Sequence, residues 1–189
     1  GAILSRKIVR SIIKPRYSLN YEEANELIEL APPQEPDLLI LSRIMRKRFL
    51  LRKAQGSINL NQVHGKFCLK AEKLLVKYIE NSPARDLISE AMILMGSVVA
   101  DYGFTNNIPL PYRAQMYTKL PSALELTALP EGTIRNSAIR ACLSRASFST
   151  TPYEHFGLGL LRYVQVTSPI RRYTDMLAHR QIISYLEGN

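Results

Sequence analysis

Two Ser-Pro dipeptides constrain the fold of this chain, because each combines residue types that begin helices. Ser82 precedes Pro83, and Ser168 precedes Pro169. A serine at the N-cap accepts a hydrogen bond from a backbone N–H of the first turn, and proline suits the first helical position because it lacks an N–H. Apolar residues at helical spacings follow each dipeptide. We therefore predict one helix from Pro83 to about residue 102 and another from Pro169 to about residue 186.

Other local patterns predict further elements. Asn20 and Glu23 form an asparagine version of the capping box, and Gly56 is the predicted C-cap of a later helix. These and neighbouring patterns predict helices over about 21–31, 36–54 and 133–147. Strand-like runs cover 57–60, 66–71, 74–80 and 163–167, of which the first three suggest a small antiparallel sheet. Residues 3–14 are expected to be extended, and residues 118–132 to form a loop.

The apolar spacings also predict which helix faces are buried. For the helix over 36–54, the expected core residues are Leu38, Leu41, Ile44, Met45 and Phe49. For the helix from Pro83, they are Leu87, Ile88, Ala91, Met92, Met95 and Val98. The first of these helices also has a dense set of basic residues, which is either a solvated face or part of a wall that lines RNA: Arg43, Arg46, Lys47, Arg48, Arg52 and Lys53.

The charge balance restricts the partners. The 189 residues include 25 Lys and Arg against 16 Asp and Glu, so the formal net charge is +9. Such a surplus favours a polyanionic partner, which leaves a nucleic acid or a membrane surface. We find no apolar run of membrane-spanning length and expect no membrane partner. Two isolated cysteines, Cys68 and Cys142, fit a reducing intracellular compartment, either cytoplasm or organelle.

Two adjacent arginines follow the second Ser-Pro dipeptide. Arg171 and Arg172 occupy the first turn of the predicted helix, where free N–H groups and the helix dipole favour anions. One interpretation is a phosphate site, because guanidinium groups add bidentate hydrogen bonds to those N–H groups. The other is a solvated surface pair. Asp175 and His179 lie one helical turn apart and could pair on one face.

The C-terminal third resembles a known family in a long, densely spaced set of residues. The set comprises His155-Phe156-Gly157-Leu158-Gly159-Leu160, Tyr163, Thr167-Ser168-Pro169-Ile170-Arg171-Arg172-Tyr173, Asp175 and His179-Arg180. It closely resembles the ribonuclease II (RNB) family of hydrolytic, processive 3′→5′ exoribonucleases, which depend on Mg²⁺. Residues 87–94 resemble the family's central helix, and residues 112–115 resemble its Tyr-Arg-x-His/Gln strand. Gln165 replaces a frequent His, and Gly96-Ser97 replaces a frequent Ala-Asn.

The resemblance implies roles for particular residues. Arg171 matches the family's essential arginine, which would act on the scissile phosphate, and Ser168 and Arg172 would hold the same or a neighbouring phosphate. Tyr163 and His155 either pack against sugar and base or are structural. Arg113 either contacts RNA or is an interior structural arginine. Asp175, His179 and Arg180 are expected to be structural parts of the motif.

The resemblance also implies what lies elsewhere. The family's Mg²⁺ is held by clustered aspartates N-terminal to the matching region, whereas the four aspartates here are scattered and form no Asp-x-Asp-Asp-like run: Asp37, Asp86, Asp101 and Asp175. We therefore assign no metal ligand in this chain. The glutamates of the helix over 21–31 are interpreted as a solvated face, with metal binding as the less common alternative: Glu22, Glu23, Glu26 and Glu29.

Residues 1–189 are thus expected to be the C-terminal portion of an RNB catalytic domain, with an α+β, mostly helical fold and a small antiparallel sheet. The aspartate cluster and the flanking oligonucleotide-binding modules would be missing. The expected partners are single-stranded RNA, the remainder of the catalytic domain and those modules. The fragment alone is expected to be inactive. The alternative is a non-catalytic RNA-binding module or scaffold derived from the same family.

Overall fold

The computed structural model describes residues 2–16, 18–34, 36–60, 64–70, 73–79 and 81–188. Its helices are α1 (Tyr21–Leu30), α2 (Pro36–Ala54), α3 (Pro83–Thr105), α4 (Ala123–Thr127), α5 (Thr133–Cys142) and α6 (Tyr173–Leu186). Its strands are β1 (His64–Lys70), β2 (Lys73–Ile79), β3 (Tyr112–Ala114) and β4 (Ser147–Ser149), and a 3-10 helix covers Phe156–Leu158. The predicted α+β, mostly helical fold is confirmed.

The strands form two antiparallel pairs. The first is β1 with β2, as predicted, in a register that places Phe67 opposite Val76. The second is β3 with β4. The predicted strands over 57–60 and 163–167 were wrong, because each makes only isolated backbone contacts. Ile58 donates its N–H to the carbonyl of Gly157 at 2.9 Å, and Val164 forms a single bridge with Tyr112.

The core lies where the C-terminal half of α3 meets the segment at Val164 and the middle of α6. It consists of Val99, Ala100, Ile108, Leu110, Tyr112, Val164, Val166, Ala178 and Ile182. The alternating apolar residues on either side of residue 165 are therefore part of the core, although they do not form a β-ladder. Ala178 and Ile182, one helical turn apart, are the part of α6 that reaches this core.

The predicted buried face of α3 was correct at Leu87, which is 4% exposed, but wrong at two other members. Ile88 and Met95 are 44% and 51% exposed, whereas Gly96 and Ser97 are buried. The physical reason is close packing of the Tyr163 segment. A Cβ at Gly96 would lie 2.2 Å from Cε2 of Tyr163 and 2.6 Å from the carbonyl oxygen of Val164. Only glycine lets α3 approach that segment so closely.

By length and apolar content α3 also contradicts the expectation that no apolar run could span a membrane. It has 23 residues and a mean hydropathy of 1.4 over its most apolar window. However, it contains Glu90 in a buried ion pair with Arg52 of α2 and packs against α1 and α2. Apolar core helices of globular domains have the same features.

The expected basic surface of α2 is only partly present. Arg48 and Arg52 are 7% and 5% exposed, so two of its arginines are interior residues. Conversely, Leu41 and Ile44 of the predicted core face are 40% and 46% exposed, and Met45 is the buried one. Since two arginines occupy buried positions of α2, the spacing of apolar residues alone could not place this face.

The two Ser-Pro dipeptides differ in outcome. Ser82 caps α3 as predicted, with its hydroxyl accepting the N–H of Arg85, and Pro83 is the first helical residue. Ser168 caps no helix, since residues 169–171 form a turn and α6 begins at Tyr173. The helix predicted over 133–147 ends at Cys142, and residues 147–149 belong to strand β4 instead. The segment predicted to be a loop, residues 118–132, contains the short helix α4.

The remaining local predictions hold. Asn20 caps α1, and Glu23 returns a hydrogen bond to the Asn20 N–H at 2.8 Å, which completes the capping box. Gly56 follows α2 with φ of 89°, a left-handed conformation that suits glycine. The N-terminal segment has no assigned helix or strand over residues 2–15 and is held on α3, where Arg6 donates to the hydroxyl of Thr105 at 2.9 Å.

Candidate RNA-phosphate site

A buried carboxylate builds the turn before α6. Asp175 is fully buried, and its Oδ2 accepts the backbone N–H of Ser168 at 2.8 Å. The same oxygen accepts Nε and Nη2 of Arg172 at 3.0 and 2.6 Å. Arg172 Nη2 also contacts the hydroxyl of Thr167 at 3.2 Å. Asp175 therefore fixes the conformation of residues 167–172 by binding both ends of the turn.

These contacts correct the expected roles in the turn. The Ser168 N–H is already bonded within the protein, and two of the three nitrogens of the Arg172 guanidinium are bonded to Asp175 or Thr167. Because a buried carboxylate needs a compensating cation, Arg172 is the partner of Asp175, which leaves only part of its guanidinium for a phosphate. Its Nη1 and the Ser168 hydroxyl have no hydrogen-bond partner among the described residues.

Arg171 differs from its neighbour. It is exposed, and within the described part of the chain its side chain has neither an ion pair nor a hydrogen bond. It lies in the turn over residues 169–171, two residues before the start of α6 at Tyr173. The N-terminus of α6 has no side-chain cap. Arg171 and the uncapped N–H groups of the first turn of α6 are therefore close in sequence, and both kinds of group are suited to an anion.

The other motif residues on α6 have structural or surface positions. His179 does not pair with Asp175, contrary to the suggestion from their spacing. Its Nε2 instead lies 2.7 Å from the carbonyl oxygen of Val166, so it ties α6 to the preceding segment. Arg180 is exposed.

Three further predicted residues come together beside this turn. Tyr163 accepts the backbone N–H of Arg113 at 2.8 Å, and its ring meets the ring of His155 edge-on, with centroids 5.7 Å apart at an interplanar angle of 87°. His155 is 91% buried, since only 9% of its surface is exposed. Its Nδ1 has no hydrogen-bond partner among the described residues. Both aromatic rings are thus packed against protein.

The titration behaviour of these groups follows from this packing. Burial, with a smaller contribution from the charge of Arg113, lowers the pKa of His155 to about 4, so the ring is neutral at pH 7. Burial raises the pKa of the Tyr163 hydroxyl, whereas the charges of Arg172 and Arg113 act in the opposite direction. The pKa of Tyr163 is therefore influenced by charges from both the turn and β3.

A buried ion pair that the sequence reasoning missed supports the loop next to His155. Arg52 of α2 donates Nε and Nη2 to the two carboxylate oxygens of Glu90 on α3, at 2.9 and 2.6 Å. Its Nη1 donates to the carbonyl of Leu158 at 2.8 Å. Gly159 has φ of 62°, and a Cβ there would lie 2.9 Å from the N of Ser57. The only sequence signal was an acidic residue, Glu90, within an apolar helix.

Gln115 was also missed as a key residue, although it belongs to the quoted Tyr-Arg-x-Gln pattern. Its Oε1 accepts the N–H of Gly157 at 3.0 Å, and its Nε2 donates to the carbonyl of Ser144 at 2.8 Å. Its backbone N–H donates to the carbonyl of Glu154 at 3.0 Å. These bonds join β3 to the His155 loop and to the end of α5.

Carboxylates are not clustered in the described ranges. No group of three or more His, Cys, Asp or Glu that could hold a metal ion is found there. Asp101 is paired with Arg6 and Arg162, and Asp175 with Arg172. The described residues therefore do not fit a Mg²⁺ centre of their own.

Comparison with known proteins identifies the family. A family model described as the RNB domain matches residues 1–188. The chain belongs to the RNB family. It is 40% identical over 189 residues to an uncharacterised ribonuclease of Synechocystis sp., which covers 100% of this chain and 28% of that protein. It is 38% identical over 195 residues to the chloroplastic/mitochondrial ribonuclease II of Arabidopsis thaliana, covering 100% of this chain and 24% of that protein.

Solved structures share the RNB fold. RNase R of Mycoplasma genitalium in complex with ribose-methylated single-stranded RNA matches with a TM-score of 0.74 at 20% identity, over 88% of this chain and 32% of that chain. Yeast Ssd1, a pseudonuclease, matches with a TM-score of 0.62 at 16% identity, over 90% of this chain and 25% of that chain. The chain thus spans about a quarter to a third of the length of these relatives.

Proposed function

We propose that this chain is the C-terminal portion of the catalytic domain of a hydrolytic, processive 3′→5′ exoribonuclease. The enzyme degrades single-stranded RNA to nucleoside 5′-monophosphates, and Arg171 supplies the guanidinium for the scissile phosphate. The observation that supports this most directly is the contrast between two adjacent arginines. Asp175 binds Arg172 and holds the turn, whereas Arg171 is exposed and unpaired within the described residues.

The chemistry follows from the position of that charge. A phosphodiester under attack gains negative charge on its non-bridging oxygens, and a fixed cationic fork stabilises this charge more than it stabilises the ground state. Because the turn is already bonded to Asp175, Arg171 is presented without a large reorganisation of its backbone. Arg172 Nη1 and the Ser168 hydroxyl complete the proposed phosphate contacts. Tyr163, His155 and Arg113 form the adjoining wall, where Arg113 is the residue proposed to contact RNA.

The metal is proposed only for the whole enzyme. Mg²⁺ supplies charge neutralisation and an activated water in hydrolysis of this kind. Since the described residues do not form such a centre, its ligands are assigned to the rest of the catalytic domain. For the same reason we propose that residues 1–189 alone do not hydrolyse RNA.

The surface supports docking of the remainder of that domain. The accessible surface is 13490 Å², whereas a folded monomer of this mass exposes about 9,100 Å². In the β1–β2 register, five large apolar residues that are 49–75% exposed share one face of the hairpin: Phe67, Leu69, Leu74, Val76 and Tyr78. We propose that this face packs against the remainder of the catalytic domain, with oligonucleotide-binding modules beyond it, in an intracellular compartment and without a membrane partner.

The test is digestion of a 5′-labelled single-stranded RNA by the intact protein and by residues 1–189, each with Mg²⁺ and with chelator. We expect chelator-sensitive shortening from the 3′ end by the intact protein, nucleoside 5′-monophosphates as products, and salt-sensitive binding without cleavage by residues 1–189. Shortening from the 5′ end, or cleavage that persists in chelator, would contradict the proposal.

A second candidate is a non-catalytic RNA-binding module or scaffold. It is favoured by the lack of a carboxylate cluster in the described part of the chain, and by the existence of a pseudonuclease with this fold. The same assay separates the two functions. RNA binding by the intact protein with no Mg²⁺-dependent shortening would support the binding module.

A further inference from the structure

Three residues form a row across neighbouring backbone segments beside the site. In the β3–β4 register, Arg113 is opposite Phe148. On the other edge of β3, the bridge between Tyr112 and Val164 places Arg113 opposite Tyr163, whose carbonyl accepts its N–H. Residues directly opposite each other in an antiparallel pair project to the same face. Phe148, Arg113 and Tyr163 therefore share one face.

The outer end of this row is open to solvent. Phe148 is 48% exposed, and the guanidinium carbon of Arg113 lies 5.6 Å from the centroid of its ring. Arg113 is half-buried, and no carboxylate pairs with it within the described ranges. His155, whose ring is neutral at pH 7, adds no second charge nearby. A cation that is partly withdrawn from water without a counter-ion, beside an exposed aromatic ring, is suited to an anionic aromatic ligand.

Another pair in the same chain provides the contrast. The guanidinium carbon of Arg162 lies 4.1 Å from the ring centroid of Phe104, which is 49% exposed. However, Arg162 donates to a carboxylate oxygen of Asp101 at 2.9 Å, so its charge is compensated inside the protein. The aromatic rings of the two pairs are therefore similarly exposed, but only the arginine of this second pair has a carboxylate partner among the described residues.

We propose that Phe148 and Arg113 form a stacking surface for an unpaired base of the RNA, a contact separate from the phosphate contact at Arg171. The base stacks on the exposed part of the Phe148 ring, and Arg113 faces the neighbouring phosphate. This surface rests on the proposed function, since its ligand is the same single-stranded RNA. Stacking is tolerant of sequence, because every base has a π-face, so the surface contributes affinity without base preference.

The first measurement uses the absence of tryptophan from these 189 residues. In the intact protein, F148W and F104W place an indole at the proposed surface and at the compensated pair, respectively. The fluorescence of each variant is measured against wild-type protein while a homopolymeric oligoribonucleotide is added in the presence of chelator. We expect quenching for F148W at the concentrations at which RNA binds, and none for F104W. Equal responses of the two variants, or none in F148W while RNA is bound, would overturn the proposal.

The second measurement separates affinity from turnover. Replacement of a stacking aromatic by alanine weakens RNA binding by about 5- to 100-fold. We expect F148A to raise the Kd for RNA in this range, F148Y to restore it, and turnover at saturating RNA to stay near the wild-type value. F104A should leave the Kd unchanged. Loss of turnover in F148A with an unchanged Kd would overturn the proposal. A Kd that is unchanged in F148A as well as in F104A would also overturn it.

These measurements also distinguish the two levels of inference. Wild-type protein that binds RNA but does not shorten it would refute the exoribonuclease while F148W still tests the stacking surface. Wild-type protein that binds no RNA would refute both.

Discussion

Arg172 donates two hydrogen bonds to one carboxylate oxygen of Asp175, at 3.0 Å from Nε and 2.6 Å from Nη2. Asp175 is fully buried, and that oxygen also accepts the N–H of Ser168. Two arginines that look equivalent in the sequence therefore have separate tasks. Arg172 compensates the buried charge and shapes the turn, and Arg171 remains available to a ligand.

The first prediction concerns that available arginine. In the intact enzyme, R171A is expected to lower kcat by about 100-fold or more, the typical effect of removing one donor to a developing oxyanion, with little change in the Kd for RNA. R171K should not restore turnover, because an ammonium cannot reproduce the planar fork. Steady-state digestion of labelled RNA at saturating concentration measures kcat, and R180A is the matched exposed-arginine control. Near-normal turnover in R171A would contradict the assigned role.

The second prediction concerns the carboxylate. D175N removes the negative charge that compensates Arg172 and weakens the acceptor for the Ser168 N–H. Breaking a buried pair by altering one partner costs about 3–5 kcal/mol, so we expect the free energy of unfolding to fall by about 3 kcal/mol or more. D101N is the control, because Asp101 is 29% exposed in its pairs with Arg6 and Arg162, and solvent screening reduces the expected cost to about 1 kcal/mol or less. Denaturant unfolding measures both, and equal losses would refute the special position of Asp175.

The third prediction concerns the ion pair between α2 and α3. Arg52 and Glu90 have side chains that are 6% and 4% exposed. E90Q leaves the arginine buried without a full counter-charge, and we expect a loss of about 3 kcal/mol in the free energy of unfolding. S89A, at an exposed position of the same helix, should change it by less than about 0.5 kcal/mol. Thermal or denaturant unfolding of the intact domain measures the free energy of unfolding of both variants. A negligible effect of E90Q would show that the ion pair does not stabilise the packing of α2 against α3.

The fourth prediction concerns pH. The native pKa of His155 is lowered to about 4, below its usual value of 6.5, chiefly by burial. Between these values the unfolded chain binds more protons than the native state, so stability is lost as pH falls from about 6.5 to 4, by about 3 kcal/mol in total. Unfolding by urea at pH 7.5, 6.0 and 5.0 measures the loss, and H155Q should reduce its slope. Direct NMR titration of the His155 ring provides a second check, and a native value near 6.5 would contradict the prediction.

Local patterns predicted the helix starts only where no distant group competed. Asn20–Glu23 and Ser82–Pro83 cap helices as expected, because their partners lie within three residues. Ser168–Pro169 has the same local chemistry, but the Ser168 N–H is bonded to Asp175 and the following residues form a turn. There the hydrogen bond to the buried Asp175, seven residues along the chain and beyond the reach of a capping pattern, prevailed over a local preference of about 1 kcal/mol.

The sequence proposed the members of the candidate site but not their internal arrangement. The sequence placed Arg171, Arg172, Ser168, Asp175, Tyr163, His155 and Arg113 in one candidate site, and the structure brings the last six into two connected groups. It did not reveal that Arg172 is paired and Arg171 free. Arg52, Glu90 and Gln115 were missed because each acts through residues more than 25 positions away.

By itself the sequence determined the capped helices, the β1–β2 hairpin, the positive charge balance and the RNB motif, since all of these depend on residue type and short spacing. Tertiary structure alone decided which face of α3 is buried, which arginine stays unpaired and which aromatic rings are exposed. These properties depend on groups that meet across the fold, such as Gly96 with Tyr163 and Arg113 with Phe148. Such contacts determine which side chains are buried and which charges are compensated, and the spacing of residues along the chain does not reveal these contacts.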